Sequence, residues 1–166
     1  QGNLEILLLL VCQYGADVNT PTKKGSTPLL LAIEHKHIDV VRALILYGAD
    51  VNSPRHDGVT PVLMAARVGF TEGIRTLAEH GAHVNVTTPK QGFSSVFVAA
   101  TIGCAEAIIV LAEHGANVNT TDKQGTSPLC KAAEKGHMGT IRALVQSRAD
   151  IELRNDHFVS PLLAAL

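Results

Sequence analysis

The chain has 166 residues and a formal net charge of −1, with 46% apolar and 17% charged side chains. That length can bury a continuous core, and near-neutrality argues against nucleic acid as the main partner, because phosphate binding needs a basic face. No apolar run approaches the ~18 residues of a membrane span, so membrane insertion is excluded.

The opening Gln1-Gly2-Asn3-Leu4-Glu5 lacks the basic start of a secretory signal, and none is expected. The apolar run from Ile6 to Val11 reads as a buried helix face. It leads into Gly15-Ala16-Asp17-Val18-Asn19, a segment that returns at 48–52, 81–85 and 115–119 and survives in worn form as Arg148-Ala149-Asp150-Ile151-Glu152. The closing Asn falls at 19, 52, 85 and 119, a period of 33 with one step of 34. Such a period means one supersecondary unit stacked several times.

The best-preserved unit, 22–54, shows what is stacked. Lys23-Lys24-Gly25 is a polar turn, Thr27 offers a hydroxyl to the free N–H groups of a helix start, and Pro28 suits the first helical position. Leu29, Leu31, Ala32 and Ile33 make the first helix apolar on one side, and it is predicted to end near Lys36-His37. A second helix follows, with Ile38, Val40, Val41, Leu44 and Ile45 on one broad face and Gly48 as its stop. Asp50 to Pro54 then reads as part of a hairpin finger. Units are expected at 22–54, 55–88, 89–121 and 122–154, with partial ones at 1–21 and 155–166; one such unit cannot bury its own apolar faces.

With Thr-Pro-Leu-Leu-Leu-Ala, Gly136-His137 and Gly-Ala-Asp-Val-Asn repeated in phase, the whole chain resembles the ankyrin repeat family. The resemblance implies an all-α solenoid of stacked helix-turn-helix units with β-hairpin fingers. Departures from the pattern are local. The His that the family places after Thr-Pro-Leu is replaced by Leu30, Leu63, Phe97, Cys130 and Leu163, so packing is expected to substitute for its polar network. Ser94-Ser95 stands for Thr-Pro, Arg148 for the stop Gly, Phe158 for a turn Gly, and Lys131 sits at an apolar position where its head must snorkel. The C-terminal end is expected to be the looser one. The chain begins and stops within a unit, and a fragment of a longer array is expected.

No catalytic constellation is visible, and neither metal nor cofactor is expected. His37 and His137 hold the turn position where the family itself uses His, and His80 and His114 precede the stop Gly, where a cation suits a helix C-terminus. Cys12, Cys104 and Cys130 are an odd, scattered set, read as reduced and partly buried thiols of a cytosolic or nuclear protein.

The family resemblance places function on the concave face, made of finger tips and the exposed side of the first helices. The candidates carried over are Val59, Arg67, Val68, Lys90, Gln91, Phe93, Thr101, Ile102, Lys123 and Lys135. Val59, Val68, Phe93 and Ile102 are apolar where the flanking units have Ser26, His35, Thr126 and Lys135, and are expected to form one patch rimmed by charge. The single extra residue falls in the finger beside Phe93. The expected function is non-enzymatic binding of a partner protein by a monomeric or weakly end-to-end associating array. The alternatives are a rigid or self-associating spacer, or the targeting domain of a larger enzyme, channel or effector. Resemblance further implies that Asn52, Asn85 and Asn119, each with a Leu eight residues earlier, are substrates for an oxygen-dependent hydroxylase.

Overall fold

A computed structural model describes residues 2–157 and 159–166; Phe158 and the turn expectation attached to it lie outside them. Among the described residues there are ten helices and no sheet. They are α1 (Gly2–Tyr14), α2 (Pro28–Glu34), α3 (Ile38–Leu46), α4 (Pro61–Arg67), α5 (Thr71–Glu79), α6 (Ser95–Ile102), α7 (Ala105–Glu113), α8 (Pro128–Glu134), α9 (Met138–Gln146) and α10 (Pro161–Ala164). None is long and apolar enough to cross a membrane.

Helices this short are marginal alone, so each depends on its neighbours. The even-numbered helices pack on one another in sequence, α2 on α4, α4 on α6, α6 on α8 and α8 on α10. The odd-numbered ones form a second layer behind them, α1 on α3 through α7 on α9. Fully buried Ala65, Ala66, Ala99, Ala100 and Ala132 let the first-layer helices approach closely, while Ile74, Leu77, Ile108, Leu111 and Leu144 fill the space between layers.

Local chemistry sets the start of every first helix. Thr27, Thr60, Ser94, Ser127 and Ser160 each accept a bond from the backbone N–H three residues on, at 3.1–3.4 Å. Ser94 therefore caps α6 without a following Pro, and the hydroxyl of Ser95 is spent instead on Val84 O at 2.9 Å. The helix–helix turn comes earlier than the sequence suggests. Helix α2 ends at Glu34, His35 caps it, and Lys36 adopts φ 57°, in the register of Gly69, Gly103 and Gly136. Arg148 takes φ 67° at the position of Gly48, Gly81 and Gly115.

The positions that lost the family's His are filled by packing in four of five cases. Leu30, Leu63, Phe97 and Cys130 are at most 2% exposed, whereas Leu163 is 55% exposed. Cys130 keeps some polarity, with its thiol 3.7 Å from Leu153 O and 3.8 Å from Val159 O. Lys131 is partly buried and ends on Glu134 at 2.7 Å, the main reason the Glu134 carboxyl lies below its ordinary range. Cys12 corrects the expectation of partly buried thiols: it is exposed and donates to the Tyr47 hydroxyl at 3.1 Å.

The repeated Asn is a clamp between units. Asn19 donates to Gly48 O and accepts from Asp50 N, and Asn52 does the same with Gly81 O and His83 N, at 2.8–3.1 Å. Asn85 likewise joins Gly115 O to Asn117 N. At Asn119, among the described residues, only the bond from Asp150 N is made, beside Arg148. The Asp two places before the Asn closes a local turn, as Asp50 does to Asn52 N at 2.8 Å.

Fingers are tight turns rather than paired strands, with a lone bridge between Thr87 and Ser94. The fingers of the four complete units are each held by two backbone bonds, such as Gly58 N to Arg55 O and Arg55 N to Val59 O, too few to build a ladder. They overlap like shingles. A β-carbon on Gly58 would meet Pro89 at 2.4 Å and one on Gly25 would meet His56 at 2.4 Å, so glycine is required there by contact as well as by its positive φ.

Candidate functional site

The longer finger is where the repeat is remodelled. In three other fingers the turn closes from Gly N to the carbonyl three residues back, as in Gly25 to Thr22, Gly58 to Arg55 and Gly125 to Asp122. In the third complete unit Gly92 N reaches Thr88 O, four residues back, and the return bond runs from Thr88 N to Phe93 O. The extra residue is thus absorbed between Thr88 and Gly92. The Thr88 hydroxyl stabilises the widened loop by accepting from Phe93 N at 3.0 Å.

This loop places Phe93 against Phe97. The rings stack at 4.7 Å between centroids and 7° between planes. Phe97 is buried where the family would have His, so an anchored aromatic behind a half-exposed one is a consequence of that departure. Stacking of this kind contributes about 0.5–1.5 kcal/mol beyond burial and holds Phe93 in one orientation.

A cavity of about 350 Å³ opens in front of Phe93, lined by Asp57, Val59, Leu63, Arg67, Thr88, Lys90, Gln91 and Val98 as well. Its floor is apolar, and Val59 and Val98 also pack against the main core. Of the candidates, Val59, Arg67, Lys90, Gln91 and Phe93 are brought together here. The Arg67 guanidinium lies 3.0 Å from Met64 Sδ and has no carboxylate partner among the described residues.

The other candidates lie elsewhere, and the expected four-residue patch is divided. Val68 is the C-cap of α4, and Ile102 ends α6 with its tip 3.5 Å from where a β-carbon on Gly69 would stand. Seven helical residues separate Val59 and Thr60 from Val68, about 10 Å at ~1.5 Å each. Thr101 turns its hydroxyl back to Phe97 O at 2.9 Å, while its carbonyl faces the His137 ring at 3.2 Å. Lys123 bonds Pro89 O at 2.7 Å, bracing the long finger from outside the cavity, and Lys135 is exposed, 3.9 Å from Glu134. Asn52 and Asn85 spend their amides on the clamps, a structural duty that accounts for them without modification.

Residues missed by sequence reading are Leu63, Thr88 and Val98, which complete the lining, and Arg55, which governs its one acid. Arg55 Nε bonds Asp57 Oδ1 at 3.0 Å, and a second guanidinium nitrogen holds the other oxygen. That hydrogen bond, more than the bond from Val59 N, lowers the Asp57 carboxyl to about 2. The Arg55-x-Asp57 spacing within a finger was the available signal. Among the described residues no three of His, Cys, Asp and Glu gather as a metal site, and the His80 and His114 rings bond Thr76 O and Val110 O of their own helices at 2.7 and 2.9 Å.

A family model described as ankyrin repeats (3 copies) matches residues 1–88 and 87–155. A curated relative, the 2-5A-dependent ribonuclease of Mus musculus, is 42% identical over 43 residues. That similarity covers 26% of this chain and 6% of the ribonuclease.

Proposed function

The chain belongs to the ankyrin repeat family, and from that premise we propose that it is a non-enzymatic interaction module that binds a partner protein on its first-helix and finger face. The observation that carries this reading is the cavity before Phe93, an apolar floor with a polar and cationic rim, built around an aromatic ring already held in place by Phe97. A pre-positioned aromatic loses little freedom on binding, which is how a few anchors come to dominate an interface. Ankyrin repeats are in general protein-binding modules.

The test uses peptides of twelve residues selected from a random display library on the immobilised array. Selected peptides are expected to lose ~30-fold or more in affinity for Phe93→Ala, as for a central anchor, with the far-UV circular dichroism unchanged. Equal affinity for Phe93→Ala, or selection of no binders, refutes the assignment.

The short match within a much longer ribonuclease favours a second reading, in which the array is the targeting segment of a larger chain. Immunoblotting of source tissue with serum against the array would show a band well above 17.6 kDa; a band at that mass alone refutes it.

A further inference from the structure

Charge is distributed unevenly over the face that carries the cavity. A second cavity of about 490 Å³ lies across the first two fingers, lined by Lys23, Lys24, Arg55, His56 and Asp57. Asp57 lines both cavities, so the two are neighbours on one face and are taken together as a groove. Its charged lining is Lys23, Lys24, Arg55, Arg67, Lys90 and Asp57, five cations against one carboxylate, a net charge of +4 on a protein whose total is −1. Glu34 acts on Arg55 through space, and counting it leaves +3. The one carboxylate in the lining is already held by Arg55 and by the Val59 N–H at 3.2 Å. Lys23, Lys24, Arg67 and Lys90 have no carboxylate partner among the described residues.

We propose that this groove receives an acidic segment of the partner protein, with one large apolar side chain seated before Phe93 and its carboxylates on the cations of the first three fingers and Arg67. The proposal rests on the reading of Phe93 as a binding anchor and adds the chemistry of what is bound. Single-stranded nucleic acid would satisfy the charge, but it needs successive aromatic platforms along the track. Here the groove offers two rings, Phe93, with one face taken by Phe97, and His56 in the second cavity, too few for a stacked track. Clustered cations of this kind steer encounter and select the partner's sign, and their effect weakens with salt.

Sequencing the peptides selected on the wild-type array is the first arm, and enrichment of Asp and Glu beside a large apolar residue is expected. The second arm measures those peptides against Lys90→Glu, Arg67→Glu and Lys24→Glu; only Arg67→Glu gives up a part-buried contact, to Met64 Sδ, and its far-UV circular dichroism is compared with the parent's. A loss of ~10-fold at low salt, shrinking as salt rises, is expected for each. Peptides that bind through Phe93 but are neutral or basic, or that are indifferent to charge reversal, overturn this proposal and leave the Phe93 assignment standing. A labelled oligothymidylate or a free phosphate that competes as well as the peptides also overturns it.

Discussion

Two residues hold a left-handed backbone at positions where sister units have glycine, and replacing them with glycine tests the register quantitatively. Lys36 has φ 57° and Arg148 φ 67°. For a side chain with a β-carbon this region costs ~1–2 kcal/mol. Glycine loses ~0.5–1 kcal/mol more freedom on folding, so Lys36→Gly and Arg148→Gly should each stabilise by ~0.5–1 kcal/mol. At the register of Arg148 steric relief adds nothing, because a β-carbon at Gly48, Gly81 or Gly115 would meet no atom within 4 Å; at the register of Lys36 the sister positions differ, with Gly136 open, Gly69 3.5 Å from Ile102 and Gly103 2.9 Å from His137. The two sites lie at opposite ends of the stack and share no partners, so the double variant should gain the sum, ~1–2 kcal/mol. At this size that is a rise of ~2–4 °C in Tm per kcal/mol. Urea unfolding followed by far-UV circular dichroism reads the change, and hydrogen exchange assigns the Arg148→Gly share to α9 and α10. Lys36→Ala and Arg148→Ala keep the β-carbon and should stay within ~0.5 kcal/mol of the parent. If the alanine variants gain as much as the glycine ones, or the glycine ones lose stability, the dihedral account fails.

Thr140 is fully buried in α9 and its hydroxyl has no partner among the described residues. Thr140→Val, equal in shape and matching Val40 in the first unit, should stabilise by ~1 kcal/mol in the same urea assay, while Thr140→Ser should not. Asn52→Ala breaks both bonds of a clamp and should cost ~1–2 kcal/mol, about twice the cost of Asn119→Ala, which breaks one; equal costs would remove the clamp explanation. Asp57 has its carboxyl lowered to about 2 by Arg55, so its contribution is present above the ordinary carboxylate pKa and is lost as pH falls from there through about 2. Because the side chain is 46% exposed, that contribution is below ~1 kcal/mol, and Asp57→Asn should abolish this part of the acid limb in a stability-against-pH titration.

The local rules of the fold were legible residue by residue. Thr and Ser before each first helix are helix caps because the free N–H groups at a helix start need an acceptor. The period of Gly-Ala-Asp-Val-Asn set the spacing at which the helix pairs recur, and the missing His at 97 foretold an apolar core contact there. What stayed hidden was whatever depends on two units at once. Asn52 reads as a turn residue until stacking brings Gly81 O and His83 N of the next unit to its side-chain amide. Val59, Val68, Phe93 and Ile102 share a face in one-dimensional register, yet seven helical residues separate the cavity from the far end of α4.

The sequence by itself determined the helix-turn-helix unit and the caps of its first helices, because those follow from hydrogen bonds and dihedral preferences within a few residues. Only the tertiary structure decided which departures from the repeat meet. Val59 and Arg67 of one unit came to line a cavity with Lys90, Gln91 and Phe93 of the next, Lys123 reached back to Pro89 O of the long finger, and the His137 ring came against Thr101 O. Those contacts arise from the stacking of neighbouring units at fixed separation, and a linear chain carries no measure of that distance.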